Sequence, residues 1–182
     1  MRRWRTEEVD RIFEHPLLSL ERRRLVAGDD RRQALIVDTP DWVNVIALTD
    51  AREVLLVRQW RYGIEDATLE IPGGVVEPGE GHRAAAEREL LEETGYRAAA
   101  WSLLGESRPN PAIQTNRIST WLATDLERLG EPEGDGEEEL EVIRAPLAEI
   151  PRRVLAGEIT HSLVLAAFYL FEGARSPNAS GD

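Results

Sequence analysis

With 182 residues, 42% of them hydrophobic, the chain is long enough to bury the core of one domain. It contains no cysteine, which excludes disulfides, thiolate metal sites and cysteine nucleophiles together and fits a reducing compartment. Its formal net charge of −12 argues against a nucleic-acid surface, which needs a clustered basic patch.

The N-terminus, Met1 to Glu8, carries arginines with no apolar run behind them, so it does not read as a signal peptide. No stretch approaches the ~20 apolar residues of a membrane-spanning helix. The expectation is a soluble cytoplasmic protein with no membrane or nucleic-acid partner. Residues 1–40 read as short strands with turns: Gly28-Asp29-Asp30 signals a turn, and Arg32 to Val37 a strand after it. Arg2, Arg3, Arg5 and Arg22 to Arg24 are interspersed with acids, as on a solvated surface. Val43 to Leu48 and Glu53 to Arg58 are apolar runs suited to buried strands, with Thr49 to Arg52 as a hairpin turn between them. Thr68 to Ile71 is short and extended, ended by Pro72-Gly73-Gly74. A helix is expected from about Gly81 to Thr94, stopped by Gly95. The chain returns to the sheet from Leu103, with Ile118 to Ala123 as a strand. An acidic loop follows over Glu131 to Glu139, then a strand over Leu140 to Arg144. Helices around Leu147 to Ala156 and Ser162 to Phe171 close the domain, and a loose tail runs from Gly173. Strands and helices do not follow regular βαβ spacing, so the fold class is α/β with a mixed sheet between helices.

Residues 74–96 carry the most chemistry. Helical residues advance ~100° each, so Glu89, Glu92 and Glu93 lie within about 100° of one another, with Ala84 and Leu91 roughly opposite. The expected arrangement is one face packed on the sheet and another holding charge. Clustered carboxylates suit hard divalent cations such as Mg²⁺. The segment resembles the Nudix box, G-x5-E-x7-R-E-U-x-E-E-x-G-U, filled here by Gly74, Glu80, Arg88, Glu89, Leu90, Glu92, Glu93, Gly95 and Tyr96.

That resemblance implies the Nudix α/β/α sandwich over residues 41–172, preceded by an N-terminal β extension at 1–40 and followed by a flexible tail at 173–182. It implies a pyrophosphohydrolase using Mg²⁺, with Mn²⁺ as a substitute. Glu89 and Glu93 are then direct metal ligands, Glu92 a ligand or base, and the Gly73 carbonyl a further ligand. Arg88 is expected to orient the glutamates by ion pairing, and Glu80 to support them. Gly74 and Gly79 let the loop fold against the helix start, whereas His82 reads as a surface residue there. Metal-bound water, deprotonated by a carboxylate, attacks phosphorus without a covalent enzyme intermediate.

Features outside the box resemble nucleoside diphosphate sugar hydrolases, with ADP-ribose the leading substrate. Pro111 lies fifteen residues after Tyr96, where ADP-ribose pyrophosphatases carry a proline. Val57-Arg58-Gln59-Trp60-Arg61 resembles their Arg-Gln-aromatic-Arg segment, making Arg61 a candidate for the diphosphate and Glu70 for a substrate or metal-water contact. The alternative for Arg61 is a surface ion pair. In that group a loop glutamate acts as general base; matching backward from Glu141-Val142-Ile143 selects Glu138, matching forward from Gly134-Asp135-Gly136 selects Glu137, and Glu139 stands third. The segment Arg108 to Arg117 departs from the Ser-Pro-Gly-Phe-Thr-Asp-Glu pattern of those enzymes, leaving Asn110, Gln114 and Asn116 as uncharged hydrogen-bond groups. GDP-mannose, UDP-glucose or a broader set therefore stay open, as does housecleaning of nucleoside triphosphates or dinucleoside polyphosphates. A non-catalytic ADP-ribose-binding module is a further reading. Trp42 is a base-stacking or a core residue, and relatives of this shape are commonly homodimers with an exchanged N-terminal sheet.

Overall fold

The computed structural model describes residues 1–132 and 140–175. They divide into two compact units, residues 1–41 with 108–117, and residues 42–107 with those from 118 onward.

In the first unit, β1 (Arg5–His15), β2 (Leu18–Ala27) and β3 (Asp30–Asp38) form an antiparallel sheet in the order β1-β2-β3. The strands span 11, 10 and 9 residues, longer than the short strands expected. Opposite charges facing across the pair account for this. Glu8 stands opposite Arg24 and Asp10 opposite Arg22 in the β1–β2 register, and both pairs form salt bridges. Opposite charges on facing positions stabilise a pairing that has little apolar content. Gly28, at φ 63°, makes the β2–β3 turn. Segment 108–117 docks beside β3 through Val37 N–H to the Ile113 carbonyl at 2.8 Å. Arg117 closes it with a fork on Asp41 Oδ2, at 3.2 Å from Nε and 2.8 Å from Nη2.

The second unit contains β4 (Trp42–Ala47), β5 (Glu53–Arg61), β6 (Asp66–Glu70), β7 (Gly73–Val75), α1 (His82–Thr94), β8 (Tyr96–Ser107), β9 (Ile118–Arg128), β10 (Glu141–Pro146), a 3₁₀ turn (Leu147–Glu149), α2 (Ile150–Leu155) and α3 (Ser162–Arg175). Two sheets form, β10-β5-β6 and β7-β4-β9-β8, and the second is mixed because β4 and β9 run parallel. The turn at Thr49 to Arg52 is present, with Arg52 N–H on the Thr49 carbonyl at 2.8 Å. Its strands share only the Leu48–Val54 bridge before entering different sheets. β8 starts at Tyr96, directly after the helix, rather than near Leu103. α3 continues to Arg175, so residues 173–175 are helical and not tail.

Core positions explain the layering. Along β4, Val43, Val45 and Ala47 join Leu55, Ala85, Ala86 and Leu90 in one apolar cluster, while Ile46 joins Val54, Leu56, Ile150, Val164, Ala167 and Phe168 in another. Period-two alternation with both faces apolar is what strands covered on both sides require. One side is covered by α1 and the other by α2 and α3, so the strands lie between helices. Among the described residues no helix is long and apolar enough to cross a membrane.

Candidate active site

The helix α1 presents a face different from the one expected. Its buried residues are Ala85, Ala86, Leu90 and Thr94, while Ala84 and Leu91 are exposed. Counting ~100° per residue from His82, the buried residues span an arc from about −60° to about +120°. Glu89 falls at about −20° and Glu93 at about +20°, inside that arc. Both glutamates are therefore on the sheet side, and only 13% of the Glu89 side chain is exposed. A carboxylate can lie there because the sheet offers glycine. β7 pairs with β4 so that Gly74 faces Val43 and Gly73 faces Asn44. A Cβ on Gly74 would sit 2.3 Å from Glu89 Oε1, so the absent side chain is the space that this carboxylate fills. Gly95, at φ 71°, ends the helix with its N–H on the Leu91 carbonyl at 2.8 Å.

Arg88 gathers the carboxylates. Its Nε and Nη2 donate to Glu80 at 3.1 and 3.0 Å, and Nη1 donates to Glu89 at 2.8 Å and Glu92 at 3.1 Å. Nη2 also reaches the Val75 carbonyl at 2.9 Å, tying the helix to β7. The Glu80 interaction leads in holding Arg88 charged, and Arg88 in turn lowers the Glu80 carboxyl below its usual value. Glu89 moves the other way: burial raises it more than Arg88 lowers it, with Glu92 and Glu80 adding like-charge repulsion. Glu80 also accepts from the Glu77 N–H at 3.0 Å, and Gly79 takes φ 85° in the loop between them. Glu93 accepts the Gly73 N–H at 2.9 Å.

Glu80, Glu89 and Glu92 are thus collected around one guanidinium, and Glu93 is held at the Gly73 backbone. Among the described residues no three Asp, Glu or His side chains stand grouped to hold a metal ion as they are. The donors nevertheless suit the divalent ion that the resemblance implies. They are hard carboxylate oxygens on a single stripe, and the cradle above Gly74 makes room for the nearest of them, Glu89.

The second cluster joins Arg61 to Glu70. Arg61 Nε and Nη2 donate to the two Glu70 oxygens at 2.8 and 2.7 Å, and the Thr68 hydroxyl donates to Oε1 at 2.5 Å. The ion pair foreseen for Arg61 is present, with the buried Glu70 as its partner. Burial pushes the Glu70 carboxyl up, but Arg61, Thr68 and a nearby His161 bring it to a net value below the usual 4.5. Thr68 carried no sequence signal, since a lone threonine in a strand reads as ordinary β structure.

Trp42 opens β4 between Val75 and Ile118 and is half-buried. Asn110 and Pro111 are exposed in the 108–117 segment, and Asn116 is buried there with no partner for its Oδ1. Glu137, Glu138 and Glu139 lie outside the described residues. His82 is not simply a surface residue: it is half-buried, with Nδ1 2.9 Å from the hydroxyl of Ser119.

The family model for the NUDIX domain matches residues 39–167. The chain is 34% identical over 126 residues to an ADP-ribose pyrophosphatase of Mycobacterium tuberculosis, a match covering 68% of this chain and 61% of that protein. It is also 34% identical over 125 residues to an ADP-ribose pyrophosphatase of Bacillus subtilis, covering 68% of each. The crystal structure of an ADP compounds hydrolase shares the fold at a TM-score of 0.83, with 24% identity and 94% of each chain covered. The α/β/α sandwich with its mixed sheet is therefore the Nudix fold, and the chain belongs to the NUDIX family.

Proposed function

We propose that this NUDIX-family chain hydrolyses the diphosphate linkage of nucleoside diphosphate sugars, with ADP-ribose as its leading substrate and Mg²⁺ or Mn²⁺ as its ion, releasing a nucleoside monophosphate and a sugar phosphate. The observation that carries the reading is the Arg88 hub, which assembles Glu80, Glu89 and Glu92 beside the glycine pair of β7. Two ADP-ribose pyrophosphatases among the relatives support the substrate class.

In this reading Glu89, Glu92, Glu93 and the Gly73 carbonyl would hold the ion, which would supply neutralising charge at the diphosphate and a more acidic water. Arg88 exchanges part of its hold on Glu89 and Glu92 while keeping Glu80, so the carboxylates stay within reach of their working positions. Arg61 supplies positive charge to the substrate diphosphate, with Glu70 fixing its planar fork. Trp42 supplies a substrate contact, and Asn110 and Pro111 keep the substrate role that the resemblance implies for them. One of Glu138, Glu137 and Glu139 accepts the water proton, with Glu138 preferred. We place the protein in the cytoplasm as a homodimer.

The test is turnover of ADP-ribose, GDP-mannose, UDP-glucose, diadenosine polyphosphates and nucleoside triphosphates by the purified chain with Mg²⁺ or Mn²⁺, with products identified by chromatography. Release of AMP and ribose 5-phosphate from ADP-ribose is the expected result. No cleavage of any diphosphate sugar refutes the proposal. Single Gln substitutions at Glu137, Glu138 and Glu139 identify the base as the one whose loss collapses kcat.

A further inference from the structure

We infer that His82 is a positioning residue, which pins the first turn of α1 to β9 through Ser119 and so sets where Glu89 stands over β7. The inference rests on the metal role proposed above for Glu89.

Ser119 is 1% exposed, and its hydroxyl oxygen accepts the indole N–H of Trp121 at 3.1 Å. An indole can only donate, so this bond uses one lone pair of Ser119 and leaves its hydroxyl proton and second lone pair for another partner. His82 Nδ1 lies 2.9 Å from that oxygen and is the partner positioned for it. Either ring tautomer completes the bond, with Nδ1 accepting the hydroxyl proton or an Nδ1–H donating to the second lone pair.

The sheet register ties this bond to the glutamates. Val43 of β4 is aligned with Gly74 of β7 on one side and Ser119 of β9 on the other. Gly74, Val43 and Ser119 thus form one row across three strands, on the face that α1 covers. Two strand spacings separate the ends of the row, about 9.6 Å. His82 and Glu89 are seven residues apart on one helical stripe, a rise of about 10.5 Å. The two lengths match, so His82 meets the row at Ser119 where Glu89 meets it at Gly74. Shifting α1 along its axis would break the first contact and displace the second. The apolar contacts of Ala85, Ala86 and Leu90 hold the helix down but are less directional than a hydrogen bond to the buried Ser119.

Two measurements on the full chain test this without turnover. Calorimetric titration with Mn²⁺ should show His82→Ala binding about tenfold more weakly, the lower end for residues that support ligands. His82→Asn, whose side-chain amide reaches the place of Nδ1, should recover to within about threefold, whereas His82→Gln should not. Native affinity in His82→Ala, or no rescue by Asn, overturns the inference. The same titration of Ser119→Ala, which removes the hydroxyl on the sheet side of the bond, should show a comparable loss of about tenfold. Native affinity in Ser119→Ala overturns the inference even if His82→Ala fails to fold. The expected Mn²⁺ pattern with no turnover of any diphosphate sugar supports this inference and refutes the substrate reading alone.

Discussion

Gly73 and Gly74 are neighbours in sequence, yet replacing each by alanine should have opposite consequences. A Cβ on Gly74 would lie 2.3 Å from Glu89 Oε1, 2.4 Å from its Cδ and 2.7 Å from Oε2. Restoring contact at 3.4 Å or beyond moves the carboxylate by about 1 Å. That group ends a flexible side chain, so the displacement costs about 0.5–1.5 kcal/mol of rotamer strain. Loss of chain freedom in the unfolded state offsets roughly 0.4–1 kcal/mol of it, since Gly74 needs no positive φ. Gly74→Ala should therefore keep its melting temperature within a few degrees of the native value. A misplacement of about 1 Å in a group that orients the reaction can cost on the order of 100-fold in rate, and kcat/KM should fall by that much. A Cβ on Gly73 instead meets the Val43 carbonyl oxygen at 2.3 Å, a backbone atom fixed in β4. Gly73→Ala should lose about 3 kcal/mol as the strands part, roughly 6–12 °C in melting temperature. Thermal denaturation and steady-state kinetics on both variants provide the test. A Gly74→Ala enzyme within about threefold of native kcat/KM would refute the placement of Glu89 in the metal site.

Glu93→Gln should lower kcat by about 100-fold or more while the protein stays folded, because the Gln side-chain carbonyl can still accept the Gly73 N–H that Glu93 accepts at 2.9 Å. Kinetics beside circular dichroism distinguish this outcome from unfolding, and retained activity removes Glu93 from the ligand set. Mg²⁺ at about 100 times its dissociation constant should stabilise the native state by about 2.7 kcal/mol, and a melting temperature that does not move with Mg²⁺ argues against a site for that ion. Glu70 should mark the acid limb of stability. Its folded carboxyl sits below 4.5, so the pairing contributes fully above the unfolded value and is lost as pH falls through the lower folded value. The stability deficit of Glu70→Gln should thus be constant above about pH 5.5 and shrink below about pH 4. A deficit that grows on acidification contradicts the assignment of the Arg61 pair as the cause.

The sequence alone located the strands β4 and β5, the α1 helix with its Gly95 stop, and the box residues from Gly74 to Tyr96. Local physics determines these features: apolar runs, a left-handed glycine cap and spacings that a helix converts directly into angles. It also restricted the chemistry, since no cysteine and a concentration of carboxylates leave oxygen ligation as the route to a metal site. What the sequence misjudged was direction. Angles on a helical wheel are relative, and only packing says which arc meets the sheet. Ala84 looked like a buried position and is exposed, while Glu89 looked solvent-facing and is largely covered, because Gly74 in β7 supplies space that no pattern within α1 records. The partners of the key side chains were hidden for the same reason. Ser119 is a lone strand hydroxyl that matters because α1 packs His82 against it, and Thr68 matters because it shares a strand face with Glu70, whose pairing with Arg61 only the fold reveals. Tertiary structure alone decided that seven residues of α1 span two strand spacings, so that the helix carrying the glutamates is attached at Ser119 and Gly74 of one row.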